Sequence, residues 1–447
     1  MTNRMRLGLD RLMWVASRGG MAVLAPLLVL SAAHAQTSVV PAGAGTAVSP
    51  YQISQLGHLV WMGDNVGSSS GKYYTLQNDI DASGTTNWNS GAGFAPIGND
   101  GTNFMGVFNG NGKVIRRLTV NRPSQNYVGL FGHVGSSGVV ANLGLPGCTV
   151  TGAAHVGGLV GMSYGTLSGC YATGSVAGVG GALVGEVTGG LVGWNVGTVS
   201  GCWATVTVTG YYYCGGLVGR NEGGTVRGCY ATGPVTGYGA TGGFMGWNHT
   251  GGTVSDCYAT GPVAASIWFG GFSGVDYGTV NSSYWDTETS GQAASWGGTG
   301  TNTAAMKQQA TFVGWDFTNV WRITENVTYP LLLPKPYSIV ISGATDVNEN
   351  SGAQYTCTAY YTDGSSSNVT AIASWSEDTT YSTIDGNGYL TTTAVTSDQP
   401  CQVMATYGGQ SDSHDITIKN GADAGLWGGA LDAGGGWSYL AWFGYFK

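Results

Sequence analysis

Charge is scarce in this chain. Only 9% of its 447 residues are charged, with 24 acidic against 16 basic and a net charge of −8. So small a share of cations, outnumbered by anions, excludes a nucleic-acid partner, which would need a surplus of Lys and Arg for its phosphates. Histidine is also rare, six in all, and no two of them form H-E-x-x-H or another close pair. C-x-x-C spacing is missing. No metal site or cofactor is therefore expected. Beyond the first 35 residues no stretch reaches 18 apolar residues, so the mature chain is expected to contain no transmembrane segment.

The first 35 residues read as an export signal. Arg4, Arg6, Arg11 and Arg18 form a basic start, Met21 to Leu30 an apolar stretch, and Ala33-His34-Ala35 a small-x-small cleavage pattern. Cleavage after Ala35 predicts a secreted or cell-surface bacterial protein. Without this segment 12 basic and 23 acidic residues remain, and the balance becomes more acidic.

Glycine is abundant, at 79 residues, and much of it belongs to a repeat. GGLVGMSYGTLSGCYATG starts at Gly157, GGLVGWNVGTVSGCWAT at Gly189, GGLVGRNEGGTVRGCYATG at Gly215 and GGFMGWNHTGGTVSDCYATG at Gly242; a weaker copy, GGFSGVDYGTVNSSYWDT, starts at Gly270. A period of this size marks a solenoid. Each copy parses as three short strands, GGLVG, GTVSG and Cys-Tyr-Ala-Thr, with glycine supplying the left-handed corners. One turn of a parallel β-helix accounts for that length. The step from Gly157 to Gly189 is longer because of an extra GGALVGEV at Gly180–Val187, expected to bulge from one face. Residues 36–50 read as a flexible leader. YQISQLGHLVWMGDN reads as a short helix capping the array. After Thr301 a second short helix, capped by Asn302 or Thr303, is expected in a closing cap at 301–334.

The repeats resemble the GLUG motif of bacterial surface and secreted proteins. So do GVFNGNGKVI at Gly106–Ile115, YVGLFG at Tyr127–Gly132, SSYWDTETSGQ at Ser282–Gln292, MKQQATFVGWDF and VWRITENVTYPLL. The resemblance covers residues 51–334. It implies a right-handed parallel β-helix on an extracellular, adhesin-like protein, with no catalytic residues to transfer. Residues 335–420 resemble a bacterial Ig-like domain through YTDGSSSNVT, IASWSED and TIDGNGYLT, which implies a β-sandwich. Within it, Cys357 and Cys401 flank Trp375, and this order fits an inter-sheet disulfide packed on a tryptophan. Residues 421–447 form a Gly- and aromatic-rich tail. The expected fold class is all-β, a β-helix followed by an Ig-like sandwich.

The candidate sites are each weighed against a plainer role. Cys170, Cys202, Cys229 and Cys257 share one repeat position, and Cys148 is expected to join them. Stacked, they read as a metal stripe, as disulfides or as a buried thiol column; Ser283 at the same position in the last copy favours the column. Cys214 has no evident partner. Gly161-Met162-Ser163-Tyr164-Gly165 matches the hydrolase elbow G-x-S-x-G. The sister copies hold Asn195, Asn221, Asn248 and Asp276 in place of the serine, so a turn residue is the better reading. Asn109-Gly110-Asn111-Gly112 and Asp385-Gly386-Asn387-Gly388 read as hairpin turns rather than calcium loops. Tyr171, Trp203, Tyr230, Tyr258 and Tyr284 follow the cysteine position and should form an outward ladder. That ladder either stacks on sugars or stabilises the surface. Trp194, Arg220 and Trp247 vary between copies and are candidates for specific contacts. The function expected is non-enzymatic, in adhesion, matrix contact or display, with an extracellular glycan or protein as ligand. The alternatives are a carbohydrate-active β-helix or a plain spacer.

Overall fold

The computed structural model describes residues 36–181, 185–334, 336–361 and 365–421. The expected signal segment, and the tail beyond Gly421, lie outside the described residues. Among these residues the solenoid is built from four long parallel sheets, with a two-stranded parallel one near its start, and the rung has four strands rather than the three read from the sequence. The rung that starts at Gly189 shows the plan. Thr188–Gly189 enters, Val192–Asn195 forms the second strand, Thr198–Ser200 the third and Trp203–Thr209 the fourth. The paired glycines lie at the corner between the first two strands, so GGLVG is a corner and a strand together.

Register explains why the copies look alike. Val199 pairs with Val226 and Val226 with Val254; Ala204 pairs with Ala231 and Ala231 with Ala259. In-register parallel pairing lays each residue on its own repeat equivalent, so one residue type suits a whole column. These Val and Ala columns are buried and form the core with Leu191, Leu217, Phe244 and Phe272. Glycine serves two separate needs. Gly201 and Gly228 have φ near +59, and Asp256 takes the same turn at φ +54. Gly216 needs no left-handed turn; a Cβ there would run into the Gly243 carbonyl oxygen of the next rung.

A short helix stands at the N-terminal end of the solenoid. Helix Leu56–Asp64 buries His58, Leu59, Val60 and Met62 against the solenoid core. The preceding leader is folded, which corrects the flexible reading of 36–50. Val39 N–H donates to Gly57 O, and Gln36 Oε1 accepts from Asn89 and the Ala95 amide. Asn109–Gly112 turns between parallel rungs rather than in a hairpin. Here Asn109 Oδ1 accepts from the Asn111 N–H at 2.9 Å.

At the other end, residues 291–300 do the closing. Ser295 Oγ accepts the Phe272 and Ser273 amides, and Gly298 packs on Phe272. The 301–334 segment, expected to be that cap, instead runs along the side of the solenoid as a strap. It contains the 3₁₀ turns Ala305–Lys307 and Gln309–Thr311 in place of the expected helix, with Asn302 Oδ1 accepting from Ala305 N–H.

Residues from Pro336 to Lys419 form a sandwich of short, mostly antiparallel strands around Tyr355, Cys357, Leu390, Val403 and Ile418. Asp385–Gly388 is the expected hairpin turn. Cys357 and Cys401 lie on different sheets of this core, and Trp375 packs against it. The structure holds both as free thiols, without the disulfide expected between them. Cys401 Sγ lies 3.6 Å from Ser382 Oγ instead, and burial pushes both thiols up, away from the reactive thiolate form.

Candidate functional site

The repeat carries chemistry in four columns, and the structure turns three of them inward or against themselves. The cysteine column is a hydrogen-bonded ladder. Cys202 Sγ accepts the Cys170 N–H at 3.3 Å and donates to Ser200 O, also at 3.3 Å; Cys229 Sγ accepts from Cys202 N–H and donates to Arg227 O. Ser283 Oγ repeats the pattern, accepting from Cys257 N–H and donating to Asn281 O. Thiol and hydroxyl interchange because both can accept one amide and give one proton. Cys148 does not belong to this column: it pairs with Gly174 across a register shift, and Leu143 holds the column position. Burial pushes the Cys148 thiol up to about 12. Cys214 stands in register between Thr188 and Thr241 and donates to Tyr212 O.

The position that suggested a hydrolase is a buried amide ladder, not an exposed turn. Asn195 Nδ2 donates to Asn221 Oδ1, Asn221 to Asn248 and Asn248 to Asp276 Oδ1, at 2.8–2.9 Å. Ser163 stands over Asn195 and is fully buried. A nucleophile needs a base within hydrogen-bond reach, and no base bonds Ser163 Oγ among the described residues. Burial pushes the Asp276 carboxyl up.

Trp194, Arg220 and Trp247 are consecutive partners on the sheet of the second strands. The Arg220 guanidinium lies 4.4 Å from the Trp194 ring and 4.7 Å from Trp247, and it pairs with Glu222 at 2.8 Å. His155 continues the stack, 5.1 Å from Trp194 and 4.8 Å from Tyr127. Burial and the nearby Arg220 push His155 down to about 4, so it stays neutral. The two tryptophans spend ring faces on this stack rather than offering them to a ligand.

Four of the five expected members form an aromatic ladder, while Tyr284 instead meets Phe312 and Trp315 edge-on. Ring centroids are 4.3 Å apart from Tyr171 to Trp203, 5.6 Å to Tyr230 and 5.1 Å to Tyr258, with the planes nearly parallel. The ladder points away from the solenoid core, but half of it is covered. The strap lays Met306, Phe312, Trp315 and Trp321 against Tyr230 and Tyr258. Tyr258 Oη donates to Pro330 O at 2.7 Å, and burial raises its phenol well above the usual range. The strap is anchored by Asp286. Its Oδ1 caps the turn at Glu288 and Thr289, while Oδ2 accepts from Thr303 Oγ1 and Tyr329 Oη. The S-S-Y-W-D-T sequence held that signal, an Asp N-cap directly after a strand.

Only Tyr171 and Trp203 remain half-exposed at the uncovered end. They form one side of a groove of about 900 Å³. Its floor is the corner column Asn142, Gly169, Gly201 and Gly228. Arg227, Asp256, Asp316 and Arg322 stand at its strap end, and Pro336 and Gln410 border it from the sandwich. Arg227 pairs with Asp256 at 3.3 Å. Among the described residues no group of His, Cys, Asp and Glu could hold a metal ion, and no helix is long and apolar enough to cross a membrane.

Comparison with known proteins agrees with this architecture. Residues 210–236 and 237–264 match the GLUG motif. The chain is 44% identical over 152 residues to halomucin of Haloquadratum walsbyi, covering 33% of this chain and 2% of that protein. It is 42% identical over 142 residues to a "putative Gly-rich membrane protein" of Evansella cellulosilytica, covering 31% of this chain and 16% of that one. The matches therefore span a small part of these much longer relatives. The crystal structure of a "putative immunoglobulin A1 protease" from Bacteroides ovatus superposes with a TM-score of 0.50 at 22% identity, covering 65% of this chain and 94% of that one; this likeness concerns fold alone. The chain thus carries the GLUG motif, in two adjoining stretches of a parallel β-helix.

Proposed function

We propose that this chain is a non-enzymatic protein of the cell surface or exterior, its β-helix serving adhesion, matrix contact or display. One observation carries the reading: the repeat-borne thiols, amides and terminal carboxylate are spent on ladders within the solenoid, so the repeat supplies a surface rather than a reaction centre. The names of halomucin and of the Gly-rich membrane protein support a surface setting, as does the export signal read at residues 1–35. An extracellular glycan or protein is the partner class, and no cofactor is called for. The test is fractionation of producing cells, together with binding of the chain from Gln36 onward to arrays of glycans and matrix proteins. Exterior location with retention on at least one ligand class is expected. Confinement to the cytoplasm sinks the proposal, and an exterior protein that binds nothing leaves only the spacer role.

One observation favours a carbohydrate-active alternative: Asp256 and Asp316 line the same groove. Glycoside hydrolysis pairs two carboxyls, one kept protonated as the acid. Asp316, however, is held low by hydrogen bonds from the Asn319 side chain and amide, and Asp256 is paired with Arg227. Release of reducing ends from a polysaccharide, lost in Asp256→Asn, would establish the alternative.

A further inference from the structure

We infer that the groove beside the open end of the aromatic ladder binds an uncharged polysaccharide chain lying along the solenoid axis. The inference rests on the proposed surface role and names its ligand and site. Four observations support it.

The floor repeats. Asn142, Gly169, Gly201 and Gly228 present one corner per rung, and a surface that repeats along an axis suits a polymer of like units better than one compact ligand. The charges cancel: Arg227 and Arg322 line the groove together with Asp256 and Asp316. A polyanion would gain nothing there and would meet a protein of net charge −8. Donors and acceptors of both kinds are offered together, which suits hydroxyls, since each hydroxyl gives and takes a hydrogen bond. Arg322 is exposed and makes no ion pair among the described residues. The Trp203 indole N–H has no hydrogen-bond partner among them either. The walls alternate this polarity with apolar surface. Tyr171 and Trp203 spend their faces on each other, so it is ring edges, with Val320, Leu332 and Pro334, that meet the C–H faces of sugar rings. A groove of about 900 Å³ is large enough for several such rings and falls within the usual range of ligand clefts.

The experiment is gel affinity electrophoresis of the chain from Gln36 onward in mannan, dextran and xylan, with polygalacturonate as the acidic control. Matrix-protein binding is measured in parallel. Wild type is compared with Arg322→Ala, Trp203→Phe and the remote control Glu222→Ala; near-ultraviolet circular dichroism checks each fold. At least one neutral polysaccharide should retard the wild type, with little dependence on salt. Losing one charge-assisted hydrogen bond in Arg322→Ala should weaken binding about tenfold. Trp203→Phe should weaken it in the same direction, and Glu222→Ala should leave it unchanged. Retardation by polygalacturonate alone, or neutral binding that survives both groove variants, overturns the inference. Binding to matrix protein without any polysaccharide retardation overturns the groove and leaves the adhesive role standing. Failure of every ligand removes both.

Discussion

At the scale of single residues, two columns decide what the repeat tolerates. Cys202 both accepts an amide and donates to a carbonyl. Ser283 shows that a hydroxyl serves equally well in that place. Cys202→Ser should therefore cost under about 1 kcal/mol. Cys202→Ala strands the buried Cys170 amide and should cost about 1–3 kcal/mol more, read from urea unfolding midpoints. Asp276 gives a pH signature. Its folded carboxyl titrates above the unfolded one because it is buried. Its contribution to stability is thus present below the unfolded pKa and is lost as pH rises through the folded value. Asp276→Asn keeps an acceptor for Asn248 and removes that loss. The variant should gain on wild type between about pH 4 and about pH 7, and parallel unfolding curves at the two values would exclude the effect.

At the scale of elements, the rung is set by how closely neighbouring backbones approach. Gly216 has no room for a Cβ because of the Gly243 carbonyl, whereas Gly223, at φ +70, has open space around it. Gly216→Val should lower the thermal midpoint sharply, a loss of roughly 3 kcal/mol or more. Gly223→Asn should stay within about 1 kcal/mol, since Asn tolerates the left-handed region. Equal midpoints for the two variants would refute this account of the corner. Much of the rung was legible in the sequence, because in-register stacking writes the same residue at every level: the Val columns, the ladder from Tyr171 to Tyr258 and the Cys/Ser exchange all follow from it. What escaped depends on relations outside the copy. The short first strand, Thr188–Gly189 in one rung, has no pattern of its own to announce it. The slip that removes Cys148 from its column lies in a register shift between Ala172 and Gly174. The asparagines looked like turn formers because burial of an amide ladder is visible only once the rungs are stacked.

At the scale of the molecule, the strap is what the sequence hid. MKQQATFVGWDF reads as a cap whether it closes an end or covers a side, and the choice depends on contacts far away in the chain, such as Tyr258 with Pro330. The strap covers the ligand candidates Tyr230 and Tyr258 and leaves Tyr171 and Trp203 open. Asp286→Ala strips the partners from Tyr329, Thr303 and two amides at once. It should free the strap to limited proteolysis within 301–334 and raise dye binding by the newly bared aromatics, with the rest of the solenoid protected. Cleavage no faster than in wild type would show the anchor to lie elsewhere.

The asparagine ladder has a direction. Every amide in it gives its proton toward the C-terminal end, and the last member, Asp276, receives without passing anything on. Such a chain can grow by copying a middle link, since an inserted asparagine both gives and takes, but it cannot be prolonged past a terminus that has no proton to offer. A further asparagine turn fits between these links or ahead of Asn195, whose Oδ1 has no partner among the described residues, whereas a second solenoid placed end to end beyond Asp276 would find no amide offered to it.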